Sequence, residues 1–366
     1  YKRQHKGRRS GPRGASLRGL QAVRFVKEFP SCGYDLNMMP KLKSRIIGAL
    51  LAVIPTLISG SVPTLALATE AVDRIDYRAQ GEYEGRVRSF AGYTGRLGMQ
   101  VIAQGEQKYE AIVFPGGLPA NGWNRSTPWR FSGGKTEEGV ILDQTNGPGS
   151  LVFSDDGNGF WYLRDASKRL AAGLINVTRQ SPTLGAQPPE GADILFDGET
   201  IRGLLQAKRK DNGTLHVGFL TEKPVEDFDL HLEFRTPFEP EKRGQGRGNS
   251  GVYIQRRYEV QILDSFGLEG LINECGALYK QRRPDMNMCL PPMVWQTYDI
   301  NFTAARFDEA GEKTAPAKIT VMLNGRKVHD GVELVNKTGA GQPEGPNPLP
   351  ILFQYHSNPV EYRNLW

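Results

Sequence analysis

Along Tyr258-Glu259-Val260-Gln261-Ile262, strand alternation sends the apolar side chains one way and sets Glu259 and Gln261 together on the other face. An acid and an amide two residues apart can hold a polar ligand, although a solvated sheet face carries the same pattern. The preceding loop, residues 243–251 (RGQGRGNSG), has glycine at every second or third position, so its backbone can approach a bound molecule closely. It lacks a following helix and a GK[ST] ending, which sets a phosphate cradle aside and leaves a site wall or a plain hairpin end. His356 follows an apolar strand and leads into a turn rich in hydrogen-bonding groups, Gln354-Tyr355-His356-Ser357-Asn358-Pro359. Imidazole exchanges protons near neutral pH, and Arg363 nearby in sequence could polarise a carbonyl or bind a carboxylate. A lone histidine is more often structural, and His216 and His231 on expected strands read that way, whereas His329 beside Asp330 reads as surface. Trp123, Trp129, Trp161 and Trp295 could stack on sugar rings, with core filling as the commoner use.

These groups need a β scaffold. Short β-branched and aromatic segments at residues 83–90, 97–103, 109–114, 140–143, 151–154 and 160–163 alternate with Gly, Asp and Pro turns, which indicates a small sandwich or barrel. Residues 164–174 could hold one or two helical turns. A proline-rich stretch at 181–191 (SPTLGAQPPEG) reads as a linker between a β-rich domain over 69–180 and a second domain over 192–366. In the second domain the clearest strand is 228–234, with Phe228, Leu230, Leu232 and Phe234 on one face and Asp229, His231 and Glu233 on the other. Further strands are expected at 252–255, 258–263, 297–302, 318–323 and 351–355, and Asn324-Gly325 is a strong hairpin turn. Two antiparallel sheets packed face to face are the economical all-β architecture.

Composition agrees. The 366 residues include 43 Gly and 24 Pro without a three-residue period, which excludes collagen and disfavours long helical bundles. Net charge is +6, but residues 1–68 alone carry +10 and the other 298 residues carry −4. A mildly acidic remainder lacks the basic face that a nucleic-acid binder needs. Residues 38–68 have the layout of a secretory signal peptide: Lys41, Lys43 and Arg45, then an apolar run at 46–58, then Ala66-Leu67-Ala68. That run is about 13 residues, short of the roughly 20 that a membrane span needs. Export to the periplasm or outside the cell is therefore expected, and the Arg-rich residues 1–37 read as a disordered or non-native leader. Cys275 and Cys289, the two cysteines beyond the leader, could close a loop or stay as thiols. No CxxC pair or His-rich box marks a metal, although a divalent cation could act as a polariser in place of arginine.

Four ordered motifs carry a resemblance. Gly248-Asn249-Ser250-Gly251-Val252-Tyr253, Tyr258-Glu259-Val260-Gln261-Ile262-Leu263-Asp264-Ser265, Trp295-Gln296-Thr297-Tyr298-Asp299, and the segment from His356 through Asn358-Pro359-Val360 to Tyr362-Arg363-Asn364 are similar to the 3-keto-disaccharide hydrolase domain family. The resemblance covers about residues 192–366. It implies a concanavalin-like jelly-roll sandwich and action on 3-keto-glycosides by elimination and hydration. It also implies that the domain continues a few residues beyond Trp366. Matched to these motifs, Glu259 and His356 would share the base and acid roles and Arg363 would polarise a carbonyl. Asn249, Gln261, Gln354 and Tyr253 would bind substrate, with Asp264 counted among the binding residues either as a turn anchor or as a support behind the ligand contacts. Tyr355 and Ser357 stand where many members carry an acid and a glycine. A carbohydrate-binding module without turnover is the alternative on the same fold, and a structural exoprotein is a third.

Overall fold

The computed structural model describes residues 75–154 and 159–366, so the leader and signal-peptide segments lie outside the described residues. The described residues all fall within one compact unit. It is nearly all β. A five-residue helix α1 (Ile75–Ala79) precedes eight antiparallel strands that close into a barrel: β1 (Gly81–Phe90), β2 (Tyr93–Ala103), β3 (Lys108–Pro115), β4 (Trp129–Thr136), β5 (Gly139–Gln144), β6 (Ser150–Ser154), β7 (Phe160–Arg164) and β8 (Leu170–Val177). Closure pairs β8 with β1, Gly85 opposite Leu174, so no edge is left open. The barrel interior is filled by Tyr83, Met99, Val101, Tyr109, Val113, Phe131 and Trp161. Trp161 is therefore core.

Two features of the barrel differ from the sequence expectation. The segment expected to turn helical instead forms a loop and then β8, because its alternating residues close the barrel against β7 and β1. Strand β4 carries Gly133 and Gly134, which weaken the sequence signal. A Cβ at Gly133 would lie 2.2 Å from the Ile141 carbonyl oxygen, and at Gly134 2.6 Å from that of Gln107, so close strand approach demands both glycines.

The second half is the expected sandwich. Its strands are β9 (Leu204–Leu205), β10 (Phe219–Thr221), β11 (Phe228–Arg235), β12 (Ser250–Ile254), β13 (Tyr258–Ile262), β14 (Gln296–Thr303), β15 (Arg306–Phe307), β16 (Lys313–Ala315), β17 (Ala317–Leu323), β18 (Arg326–Leu334), β19 (Leu352–Phe353) and β20 (Glu361–Arg363). One sheet runs β13-β12-β19-β10-β9, the other β18-β17-β14-β11-β20, and β15 pairs with β16 as a separate hairpin. Leu230, Leu232 and Phe234 face the inter-sheet core together with Tyr298, Ile300, Val321, Val252, Val260 and Phe353. Phe219 stacks on Phe353 at 4.4 Å and Phe234 on Tyr298 at 4.9 Å between ring centroids. Asn324 (φ 52) and Gly325 (φ 70) form the tight turn between β17 and β18, with Leu323 opposite Arg326.

The barrel and the sandwich share apolar contact. Strand β3 is buried on both faces: Ala111 and Val113 line the barrel, whereas Ile112 and Phe114, with Ile102 of β2, join the sandwich core. Burying three such side chains is worth roughly 5 kcal/mol. Arg247 adds a hydrogen bond to the Ala103 carbonyl at 3.0 Å. The proline-rich segment is also tied down. The Ser181 and Thr297 hydroxyls lie 2.6 Å apart, the Thr183 hydroxyl donates to Asp299 at 2.8 Å, and the Gly185 amide donates to Glu233 at 2.5 Å.

Cys275 and Cys289 are both buried free thiols, the first 3.4 Å from the Tyr298 hydroxyl. His329 also departs from the reading of the sequence. It is fully buried, its Nε2 donating to the Gly276 carbonyl at 2.7 Å while Nδ1 accepts from Arg282. Burial, with Arg282 beside it, pushes His329 down to about 4 and keeps it neutral.

Candidate active site

The antiparallel pairing of β12 with β13 builds the site. Tyr253 stands opposite Glu259 and Gly251 opposite Gln261, while Val252, Val260 and Ile262 on the other parity enter the core. Strand β19 continues the same face, since Leu352 pairs with Tyr253 and the Gln354 amide donates to the Gly251 carbonyl at 2.8 Å. Glu259, Gln261, Tyr253, Asn249 and Gln354 therefore share one sheet face around a position that has no side chain. A Cβ at Gly251 would meet Glu259 Oε1 at 2.5 Å, so glycine is what lets the carboxyl lean over the middle strand. The outer edge of β13 is closed by backbone bonds from Tyr279 and to Ala277, and by Thr338, whose hydroxyl accepts from the Glu259 amide at 2.9 Å.

Glu259 is 4% exposed. Among the described residues its one side-chain hydrogen-bond partner is the Tyr253 hydroxyl, which donates to Oε2 at 2.8 Å. Burial raises the carboxyl to about 7 and outweighs the opposing effect of that hydrogen bond. The same burial and the adjacent carboxylate push Tyr253 far above its ordinary value, so its hydroxyl remains a donor. Oε1, the oxygen over Gly251, is left to take or release a proton near neutral pH.

The amides around it are oriented by a chain of donors. Gln245 Nε2 donates to the Asn273 carbonyl at 2.7 Å, which turns Gln245 Oε1 toward Gln261 Nε2 at 3.0 Å and Asn249 Nδ2 at 3.3 Å. Asn249 Nδ2 also donates to the Gln245 backbone carbonyl at 2.8 Å. With their N–H groups so used, Asn249 Oδ1 and Gln261 Oε1 are buried without any donor, and Gln354 Oε1 is in the same condition. Buried acceptors are rarely left so, and three on one face form a site awaiting hydroxyl donors. Gln245 belongs to this site and was not singled out from the sequence; its place in the glycine-rich loop was the available signal.

Three residues named from the sequence stand differently. Arg363 lies on β20, in the opposite sheet from Glu259. Its Nε donates to Glu233 at 2.6 Å on the outer face of that sheet, and its guanidinium covers Trp295 at 4.1 Å. Face parity was legible for Arg363 but sheet membership was not, so the carbonyl-polarising role is withdrawn from it. Asp264 is sealed against Arg247 at 2.6 Å and anchors the turn after β13, so it presents nothing to a ligand. His356 is exposed in the turn between Gln354 and Asn358 and makes no hydrogen bond among the described residues. That turn is nevertheless fixed to the site, because Asn358 Oδ1 accepts from the Asn249 amide at 2.6 Å and the Gln354 carbonyl accepts from the Ser250 hydroxyl at 2.7 Å. Ser357 has φ 58, a left-handed conformation that favours glycine.

The face behind Arg363 is a second polar cluster. His231 Nδ1 lies 2.6 Å from Asp299, its ring stacks on Trp366 at 4.9 Å, and Asn364 reaches Glu233 at 3.0 Å. Burial works against charge on His231, but Asp299 and Glu233 outweigh it and raise its pKa. Glu233 is lowered to about 2: its own burial is overcome by His231, the Gly185 amide, Asn364 and Arg363. Every strong donor here serves an internal acceptor, so the cluster pins residues 181–186 to the sheet. Among the described residues no group of three or more His, Cys, Asp or Glu is arranged to hold a metal ion. No helix among them is long and apolar enough to cross a membrane.

Residues 191–366 match the family described as the 3-keto-alpha-glucoside-1,2-lyase-like domain. Among solved structures, a "putative glycosyl hydrolase" from Parabacteroides distasonis shares 30% identity, covering 49% of this chain and 83% of that one, with a TM-score of 0.45. Two further proteins of the same name from that organism share 23% and 18% identity, each over 47% of this chain and over 96% and 86% of their own, both with TM-scores of 0.32. No curated protein matches the sequence. Through residues 191–366 the chain belongs to the 3-keto-alpha-glucoside-1,2-lyase-like family.

Proposed function

We propose that this protein is an exported carbohydrate-active enzyme that cleaves 3-keto-glycosides by elimination and hydration, with Glu259 as its acid–base group. The observation that carries the reading is a carboxyl raised to about 7 beside three buried amide oxygens that lack donors. A sugar presents several hydroxyl donors to one face, which suits Asn249 Oδ1, Gln261 Oε1 and Gln354 Oε1. A ketone at carbon 3 acidifies the hydrogen on carbon 2. Ionised Glu259 takes that proton through Oε1, the resulting enolate expels the oxygen on carbon 1, and His356 acts as the general acid for the leaving oxygen. Water then adds across the carbon–carbon double bond: its oxygen bonds carbon 1, its surplus proton passes to His356, and Glu259 returns its proton to carbon 2, with net glycoside hydrolysis as the result. A non-catalytic binding module would use the same three acceptors, but it would have no need of a carboxyl held near neutrality.

The test is product analysis by mass spectrometry after incubation with 3-keto-glucosides and their unoxidised parents. Aglycone should be released from the 3-keto compounds alone, and Glu259→Gln should lower the rate by at least about tenfold. Saturable sugar binding without product would sink the catalytic reading and leave the binding module. Equal rates in Glu259→Gln would remove the carboxyl from the mechanism.

A further inference from the structure

A cavity of about 330 Å³ lies where the barrel meets the sandwich and includes none of the residues around Glu259. Both of its walls are fixed. Ile112 and Phe114 of β3 are part of the sandwich core, and a Cβ at Gly267 would come within 2.6 Å of Ile102 Cδ1, so the Gly267 backbone abuts the Ile102 side chain. On the sandwich side Asn287 Nδ2 donates to the Ser265 and Leu268 carbonyls at 2.8 and 2.9 Å, which holds the loop in shape. On the barrel side Trp123 packs edge-to-face on Phe114 at 5.3 Å and donates Nε1 to the Ser126 carbonyl at 3.0 Å.

The charges along this cavity do not balance. Its carboxylates are Glu269, paired with Arg130 at 3.2 Å, and Asp285, paired with Arg282 at 2.6 Å. Two guanidiniums remain. Arg283 spends Nη2 on the neutral backbone carbonyl of Glu269 at 2.8 Å and has no carboxylate of its own. Arg125 makes no ion pair or hydrogen bond among the described residues, and its backbone is held at φ 63, an unfavourable conformation for a non-glycine residue. An aromatic wall beside two guanidinium forks with spare donors is complementary to a sugar ring that carries an anionic group. The volume falls at the lower end of small-ligand pockets, which suits a single hexose unit.

We propose that this junction binds an anionic hexose, through its carboxylate or phosphate on Arg125 and Arg283 and its ring on Trp123. The barrel thereby acquires a role as half of a ligand site, and the inference does not depend on the chemistry assigned to Glu259.

The experiment titrates the full chain with glucuronate, glucose 6-phosphate, glucose and inorganic phosphate, read by isothermal titration calorimetry. At least one anionic sugar should bind roughly tenfold more tightly than glucose and than inorganic phosphate. A preference for glucuronate identifies a carboxylate ligand, and a preference for glucose 6-phosphate a phosphate. Arg125→Gln and Arg283→Gln should each weaken that binding by about fivefold or more, with unchanged circular dichroism. Raising salt from about 0.05 M to about 0.5 M should also weaken it. If neither anionic sugar binds, if glucose binds as well, if inorganic phosphate competes equally, or if both arginine variants bind normally, the proposal is overturned. Trp123→Leu separates the ring contact from charge: it should reduce affinity for the anionic sugar and leave that for inorganic phosphate unchanged, and any other result refutes the stacking role.

Discussion

Replacing Glu259 by glutamine tests the central physical statement about the site without needing a substrate. The carboxyl has an ordinary value of 4.5 and is raised by burial to about 7 in the folded protein. Below the first value it is neutral in both states and costs nothing. Between the two the unfolded chain releases a proton that the folded chain retains, so stability falls as pH rises, and above about 7 the full cost remains. The shift corresponds to about 3 kcal/mol. Glutamine has the same shape, accepts from Tyr253 and does not titrate. The stability difference between Glu259→Gln and the parent should therefore move by about 3 kcal/mol in favour of the variant between about pH 4.5 and pH 8. In thermal unfolding this is roughly 6 °C for a chain of this size. Other titrating groups are common to both proteins and cancel. A difference that stays flat across that range would mean that Glu259 ionises normally, and the acid–base role would fail with it. If the role holds, turnover of a 3-keto-glycoside should also rise through about pH 7 as the base ionises.

His329 gives the opposite pH dependence: its pKa falls from 6.5 to about 4, so its contribution is intact above 6.5 and is lost on acidification through 4. Chemical denaturation of His329→Gln should show about 3 kcal/mol less acid loss over that window than the parent, and identical acid limbs would contradict the burial argument. Ser357→Gly should raise stability by about 1 kcal/mol by relieving the left-handed backbone, measured as a shift in urea midpoint. Gly251→Ala places a methyl group against Glu259 Oε1 at 2.5 Å; sugar turnover should drop about tenfold or more, and wild-type rates would show that the carboxyl does not work from above Gly251. Arg363→Ala leaves Glu233 short of its ion pair at 2.6 Å and should cost about 1 kcal/mol of stability, while turnover stays within about twofold; a large rate loss would return Arg363 to the active site.

The strand faces of this protein are legible from local sequence. Period two alone places Glu259 with Gln261, turns Leu230, Leu232 and Phe234 inward, and assigns the hairpin to Asn324-Gly325, because each is decided by neighbours a few residues away. What local pattern does not carry is the identity of the partner strand. Strand β20 joins β11, about 130 residues earlier, so Arg363 meets Glu233 and lies in the sheet that Glu259 does not occupy. The unbroken apolar run in β3 was visible, yet only the docking of the sandwich explains why Ile112 and Phe114 point away from the barrel interior. The proton affinity of Glu259 belongs to the same class. A carboxyl next to a tyrosine in sequence has no special value, and it is burial in the folded protein that raises it. Sequence determined the residue types and their faces, which are one-dimensional properties of a pleated chain. Tertiary structure decided which faces meet and which are dry, because pairing and desolvation arise between segments that the chain holds far apart.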